Sequence, residues 1–342
     1  MTQDNLMFTQ SFSNIVSSIS DIGEKWHKSD IVKNNISNIK FMHKNINELH
    51  KSTEIKNSAI VVSAGPSLHY SNTLETLANS KYKGVVIAID GSYVKCIKAG
   101  IVPDYVLTLD PHPTRLVRWF GDYDFEKNME NDDYFSRQDL DIDFRDNSLK
   151  QNQENIELVN KFANKTKLII SSTSPLNVVQ RTIDAGFDMY WWLPLVDNPD
   201  EGNSLTRKMY QSSKLPAMNT GGNVGTAAWV FAKFWLNIEN VAVIGMDLGY
   251  KKNLPYSMTQ TYPELSGIFG EENISAEFFP EFENPLTNEI FYTDPTYAWY
   301  RQNIIDMINN TDSKLYNCTE GGILFGSNIE NIRLVDFIEQ NS

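Results

Sequence analysis

From residue 58 onward, short and almost wholly apolar runs alternate with helix-length segments, and that alternation restricts the fold more than any other feature. The runs Ala59–Ser63, Gly84–Ile89, Tyr105–Leu109, Lys167–Ser171, Met189–Leu193 and Val241–Gly245 are dense in Val, Ile and Leu. A strand that is apolar on both faces must be covered on both faces, as inside a parallel sheet flanked by helices. Between the runs lie Asn72–Ser80, Ser92–Ala99, Pro175–Ala185 and Val224–Trp235, each long enough for a helix. This β-α-β-α order predicts an α/β fold with a doubly wound, mostly parallel sheet.

The first 57 residues have a different texture. Phe12, Ile15, Val16, Ile19 and Ile22 recur at helical spacing, and Val32, Ile36, Ile39, Met42, Ile46 and Leu49 form a second stripe. They read as an N-terminal helical extension, residues 1–57, packed on the main domain, 58–342, or on a second subunit in a homo-oligomer. Within the main domain, residues 120–155 are acidic and poor in core formers, which suggests a surface insertion. Residues 250–300 are rich in Tyr, Phe, Pro, Glu and Asn without periodicity. Such an excursion reads as a lid-like, specificity-determining region or as a structural extension. A final helix is expected from Asn331.

Charge narrows the function classes. Lys and Arg number 30 against 43 Asp and Glu, a net charge of −13. Broad binding to nucleic acid or to an anionic membrane needs a basic surface and is disfavoured. A phosphorylated small ligand remains compatible, because backbone N–H groups hold phosphate locally. Cys96 and Cys318 are far apart with no CxxC, so neither a disulfide framework nor a cysteine zinc site is indicated. No run approaches a membrane span and the first residues lack a leader pattern, so no membrane insertion and a cytoplasmic location are expected.

Chemistry-bearing residues fall where the apolar runs end. The first run leads into Ala64-Gly65-Pro66-Ser67, where Gly65 permits close backbone approach, Pro66 suits a first helical turn and Ser67 can donate to phosphate. As a bare pattern it could equally be an ordinary tight turn. The second run ends in Asp90-Gly91-Ser92; Asp90 is placed to accept from a ribose hydroxyl or to cap a helix. The third ends in Asp110-Pro-His112, a position for an acid, a base or a metal ligand, with Arg115 and Arg118 following as candidate partners for phosphate or carboxylate. Asn219-Thr220-Gly221-Gly222-Asn223 precedes a helix and could form an anion cradle, while Gly225 and Ala227 could serve close packing. Asp247 ends the last run. Ser67, Asp90, Asp110 and Asp247 are expected on one edge of the sheet. The patterns GxGxxG, GK[ST], HExxH and GxSxG are absent, and no His follows residue 112, so dehydrogenase, P-loop kinase, zinc-enzyme and α/β-hydrolase readings are disfavoured.

Together these segments resemble the MptE-like family, which unites archaeal 6-hydroxymethylpterin diphosphokinases with the motility accessory factors (Maf) of flagellin glycosylation. The resemblance rests on AGPSL at 64–68, the GI-PDY-LD pattern at 100–110, GNVGTAA followed by GMDLGY within 222–250, and NCTEGG at 317–322. It implies a Rossmann-like fold, distantly like bacterial sialyltransferases, that binds a nucleotide-activated donor. In a Maf-like reading the donor is a CMP-linked nonulosonic acid and the acceptor a protein or glycan hydroxyl. The Ala64–Ser67 turn and Gly221–Asn223 would hold the nucleotide phosphate, Asp90 the ribose, and Asp110 or Asp247 the reacting end. In a diphosphokinase reading Asp110 and Asp247 would organise Mg²⁺ and ATP beside a stacked pterin. The chain departs from both templates. A sialyltransferase-like base after the Asp247 run is missing, so His112, Tyr250 or a carboxylate would substitute; and Asp110 is followed by Pro-His-Pro rather than further carboxylates. The balance favours glycosyl transfer. A nucleotide-binding module without catalysis would keep Gly65, Gly221 and Gly222 but tolerate loss of Asp110 and Asp247.

Overall fold

A computed structural model describes residues 8–10, 12–17, 28–51, 56–113, 119–129, 144–259 and 261–341. Its strands, in chain order, are β1 (Ser58–Val62), β2 (Val85–Ile89), β3 (Tyr105–Thr108), β4 (Lys167–Ser171), β5 (Asp188–Leu195), β6 (Ala217–Asn219), β7 (Asn240–Ile244), β8 (Tyr250–Lys251), β9 (Glu281–Glu283), β10 (Ile290–Tyr292), β11 (Leu315–Asn317) and β12 (Ile329–Asn331). Nine form one sheet in the order β12-β11-β7-β1-β2-β3-β4-β5-β6, with every pairing parallel. All six apolar runs are strands of it. The chain walks outward from β1 to β6, then crosses back through the helix Val224–Val230 to place β7 on the other side of β1. The direction of winding therefore reverses between β1 and β7, and in open α/β sheets such a reversal is where the connections diverge and a ligand crevice is expected, at the carboxyl ends of the strands.

Both faces are covered, as the apolar strands require. Val61, Ile87, Leu107 and Val243 pack on one side with Ala227, Trp229, Phe231 and Ile304. Ile60, Val62, Val106 and Ile170 pack on the other with Tyr93, Cys96, Val179 and Phe337. Each such side chain contributes on the order of 2 kcal/mol when removed from water, so the strand centres are fixed and variation is left to their ends.

The N-terminal segment corrects the expected helical stripe. In the helix Lys28–Asn38, Ile36 is 58% exposed, whereas Asn35 and Asn38 are fully buried. The reason is the loop after β4, whose backbone carbonyls need donors inside the protein. Asn38 Nδ2 donates to the carbonyls of Ser172 (3.0 Å) and Ser174 (2.7 Å), and Asn34 Nδ2 to that of Thr173 (3.0 Å). Ile46, Leu49 and Phe12 are buried as expected, while Ile19 and Ile22 lie outside the described residues. Asn45 also bridges to Trp191 of β5.

Residues 120–155 differ from a simple surface insertion at both ends. Phe120 and Phe125 are buried, and the helix Phe144–Phe162 docks Ile156 and Val159. Asp122 and Asn152 exchange hydrogen bonds of 2.8 Å, and Arg181 Nε donates to the Gly121 carbonyl (3.0 Å). Residues 130–143 lie outside the described residues. The aromatic stretch 250–300 builds an antiparallel sheet, β8-β10-β9, around Tyr250, Phe279 and Tyr292, with Tyr256 stacked on Phe279 at 4.2 Å. Asp294 then caps the helix Pro295–Asn310 through the Tyr297 amide, and the chain's last helix is Leu334–Gln340.

Candidate functional site

The crevice between β1 and β7 is closed at its floor by one carboxylate. Beyond the strands, the Gly65 amide still donates to the Gly245 carbonyl at 2.8 Å, drawing the two turns together. Asp247 lies in that second turn, 2% exposed. Its Oδ2 accepts from Ser67 Oγ at 2.7 Å, the Ser67 amide donates to both carboxylate oxygens at 3.2 and 3.3 Å, and Tyr70 Oη donates to Oδ1 at 3.0 Å. Glycine at 65 follows from this approach: a Cβ there would stand 2.1 Å from Asp247 Oδ2 and 2.5 Å from the Gly245 oxygen. Pro66 leads into the short helix Ser67–Tyr70 with φ −63°.

Burial pushes the Asp247 carboxyl up to about 6, against the opposite pull of the Ser67 and Tyr70 donors. Burial thus works against its ionised form, and the Ser67 and Tyr70 donors work for it. With its oxygens engaged, Asp247 is suited to hold the Gly65–Ser67 turn in shape rather than to take a proton from a substrate.

Two further segments wall the crevice. The helix Val224–Val230 starts against it, since a Cβ on Gly225 would lie 2.7 Å from Ser63 Oγ and 2.6 Å from Met246 Cε. Opposite, Thr319 Oγ1 accepts from the Met246 amide at 3.1 Å and the Ile323 amide donates to the Asp247 carbonyl at 2.8 Å. Gly322, at φ +70°, passes so close that a Cβ would meet that carbonyl at 2.0 Å. Tyr70, Thr319, Gly321 and Gly322 are site residues that the sequence did not single out. Tyr70 lies one helical turn from Ser67, and the NCTEGG stretch carries the others, so signals for both were present.

The remaining candidates are distributed around the same carboxyl edge. Ser92 Oγ donates to the Val62 carbonyl at 2.6 Å and accepts from the Ile89 amide at 3.1 Å, tying β2 to the end of β1. Asp90 opens the helix Asp90–Lys98, 3% exposed, and its Oδ1 accepts from the Gly91 amide at 2.7 Å. A Cβ on Gly91 would touch Ala64 at 3.0 Å. In the glycine loop the Gly221 amide donates to Asn219 Oδ1 and the Gly222 amide to Thr220 Oγ1, both at 3.1 Å, while Asn223 caps the following helix through the Thr226 amide at 2.9 Å. These amides are engaged within their own loop, so an anion would have to replace Asn219 and Thr220 as their acceptor. Trp299, Tyr300 and Met307 pack where Cβ atoms on Gly221 and Gly222 would sit.

Asp110 and His112 stand beyond β3, two strands from β1, and both are half-buried. Asp110 Oδ1 accepts from the His112 amide at 2.8 Å, and Asn34 fastens the loop through the Pro111 carbonyl at 3.3 Å. Arg115 and Arg118 lie outside the described residues. Tyr250, considered above as a substitute base, is 1% exposed and donates to Asp294 Oδ2 at 3.0 Å, so its hydroxyl is engaged away from the crevice. Among the described residues no three His, Cys, Asp or Glu are grouped to hold a metal ion. Asp247 also spends its oxygens on Ser67 and Tyr70, so Asp110 and Asp247 do not fit as joint ligands of one Mg²⁺.

A parallel sheet whose order reverses at a glycine turn, with a buried carboxylate under that turn, defines a Rossmann-like α/β protein. Residues 33–127 match the family model described as 6-hydroxymethylpterin diphosphokinase MptE-like. Among solved structures, the chain is similar to the Maf glycosyltransferase from Magnetospirillum magneticum AMB-1, with a TM-score of 0.52 and 13% sequence identity over 92% of this chain and 40% of that one. The MptE-like and Maf resemblance read from the motifs is thereby borne out. At this identity the structural likeness is one of fold, and the chain spans less than half the length of that neighbour. No curated protein sequence matches the chain. No helix among the described residues is long and apolar enough to cross a membrane.

Proposed function

We propose that the chain is a transferase of the MptE/Maf type that uses a nucleotide-activated donor and passes a nonulosonic-acid-type glycosyl group from a CMP-sugar to a protein or glycan hydroxyl. The Ser67–Asp247–Tyr70 constellation at the strand-order reversal carries this reading. A carboxylate buried at a cost, with its oxygens committed to one turn, supports a role in presenting that turn to a ligand. In this reading Gly65, Pro66 and Ser67, whose donors are spent on Gly245 and Asp247, shape the wall against which the donor phosphate lies, the Gly221 and Gly222 amides and Asn223 turn to it, and Asp90 meets the ribose. Asp247 is a positioning residue. Asp110 and His112 supply the acid–base chemistry, because they remain half-buried beside the crevice rather than sealed within it. The separation of Asp110 from Asp247 favours glycosyl over pyrophosphoryl transfer, since the latter reading had both carboxylates on one Mg²⁺ with ATP.

Ligand-induced stabilisation and turnover, measured separately, test the proposal. CMP or CDP at a hundred times its Kd should stabilise the protein by about 2.7 kcal/mol, and Asp110→Asn and His112→Gln should lose transfer from the CMP-sugar about a hundredfold while still binding CMP. Stabilisation by Mg-ATP with a pterin instead would support the diphosphokinase reading. Full activity of both variants would remove the assigned chemistry, and no response to any nucleotide would defeat the proposal.

A further inference from the structure

The crevice already contains one negative charge, Asp247, so an anionic ligand seated there needs a cation close by. Arg301 lies near but is 2% exposed, with its guanidinium donating to the carbonyls of Ile323 (2.8 Å) and Phe325 beneath the 321–326 loop. Lys251 is placed differently. It follows Asp247 by four residues, its backbone is held by pairing with Phe291 of β10, and its side chain is 39% exposed. Its Nζ stands 4.0 Å from the centroid of the Tyr70 ring, the same ring whose hydroxyl donates to Asp247. Gly321 borders this stack without a side chain; a Cβ there would lie 3.0 Å from Tyr70 Oη. Lys251, Tyr70 and Asp247 thus form one chain of contacts, from a part-exposed ammonium to a buried carboxylate.

Resting on the function proposed above, we infer that Lys251 is the cation that meets an oxyanion of the bound donor. Its present partner is Glu289, at 3.6 Å with both side chains part-exposed. That distance exceeds a direct hydrogen bond, and exposed pairs of this kind hold weakly. A ligand oxyanion can therefore take Glu289's place without a large loss, and the aromatic face of Tyr70 keeps the ammonium over the crevice in the meantime. A nonulosonic-acid donor offers two such groups, the nucleotide phosphate and the sugar carboxylate.

Calorimetric titration of the wild type, Lys251→Ala and Lys251→Arg with CMP, cytidine and free N-acetylneuraminic acid tests the inference. Lys251→Ala should weaken CMP binding about tenfold and leave cytidine unchanged, Lys251→Arg should restore most of the loss, and added salt should shrink the difference. A loss confined to the free acid would place the sugar carboxylate on Lys251 in place of the phosphate. Affinities of Lys251→Ala within twofold of wild type for CMP and for the acid would overturn the inference while leaving the proposed function standing. An equal loss for cytidine would also overturn it, because the site itself would then have changed. Failure of the wild type to bind any of the three would defeat the parent reading and this one together.

Discussion

Replacing Asp247 with asparagine should change the pH dependence of stability in a defined direction. The Asp247 carboxyl is raised from 3.8 to about 6 on folding, mainly by burial. The folded state therefore binds the proton more tightly than the unfolded chain. Protonated Asp247 contributes its full stability below pH 3.8, and that contribution is lost as pH rises through about 6. The whole span corresponds to about 3 kcal/mol, at about 1.4 kcal/mol for each unit of displacement. Between about pH 4.5 and about pH 8 the linkage integral gives a loss of roughly 2 kcal/mol. Asparagine cannot titrate, and its altered hydrogen bonds with Ser67 and Tyr70 add a pH-independent offset. Urea denaturation of both proteins at the two pH values isolates the effect, because every other ionisable group cancels in the difference. The variant should gain roughly 2 kcal/mol on the wild type as pH rises, or about 3 °C in a thermal melt of a chain this size. Parallel pH profiles would refute the raising of the Asp247 carboxyl by burial. A difference of opposite sign would mean that its donors outweigh burial.

Three other outcomes follow from the same geometry. Gly65→Ala places a methyl 2.1 Å from Asp247 Oδ2 and 2.5 Å from a backbone oxygen that cannot rotate away; urea unfolding should show a loss of about 3 kcal/mol, and an unchanged midpoint would contradict the close packing of the two turns. Tyr70→Phe deletes a donor that favours the Asp247 carboxylate, so the pH at which stability declines should move upward in the same denaturation series. Asn38→Ala leaves the carbonyls of Ser172 and Ser174 without a buried donor and should cost about 2 kcal/mol, whereas Ile36→Ala, at a 58% exposed position, should stay within about 0.5 kcal/mol of wild type; equal effects would restore the apolar stripe as the buried face.

The strands whose order reverses around β1 are legible because each is an uninterrupted apolar run whose abrupt end marks the carboxyl edge. That is why Gly65, Ser67, Asp90, Asp110 and Asp247 could all be assigned to one rim before their contacts were known. β6, β11 and β12 are three residues each and take their register from a neighbour, so they leave no periodicity to read. The face of the Lys28–Asn38 helix was misjudged for a different reason. Hydrophobic spacing registers side-chain polarity, but here the demand came from carbonyls of a distant loop, and asparagine satisfies it where isoleucine cannot. The acidic stretch misled similarly, since its average composition hid the buried Phe120 and Phe125 at one end and Asn152 at the other, where the chain enters and leaves the core. Tyr70 carried a local signal in its spacing from Ser67. Gly321 and Gly322 were marked only as part of the NCTEGG stretch, and their approach to Asp247 depends on β11 pairing beside β7.

Under the proposed function, the two aspartates have separate tasks. At the reversal, Asp247 is buried at a cost in stability, and what it maintains is the shape of a turn; its oxygens face Ser67 and Tyr70, not an open cavity. A fold tolerates such a cost where a local geometry matters more than its own stability. Asp110 and His112 stand beyond β3, two strand spacings (roughly 10 Å) from β1 and three (roughly 15 Å) from β7. In the proposed reading the phosphate of a CMP-sugar and the anomeric carbon bonded to its oxygen both lie near Lys251. Asp110 or His112 takes the proton of the acceptor hydroxyl as the hydroxyl oxygen attacks the carbon, and the anomeric bond to the phosphate oxygen breaks to release CMP. Exchanging the two sites' roles would require Asp247 to release Ser67 in order to accept a proton, and that release would dismantle the turn on which the phosphate depends.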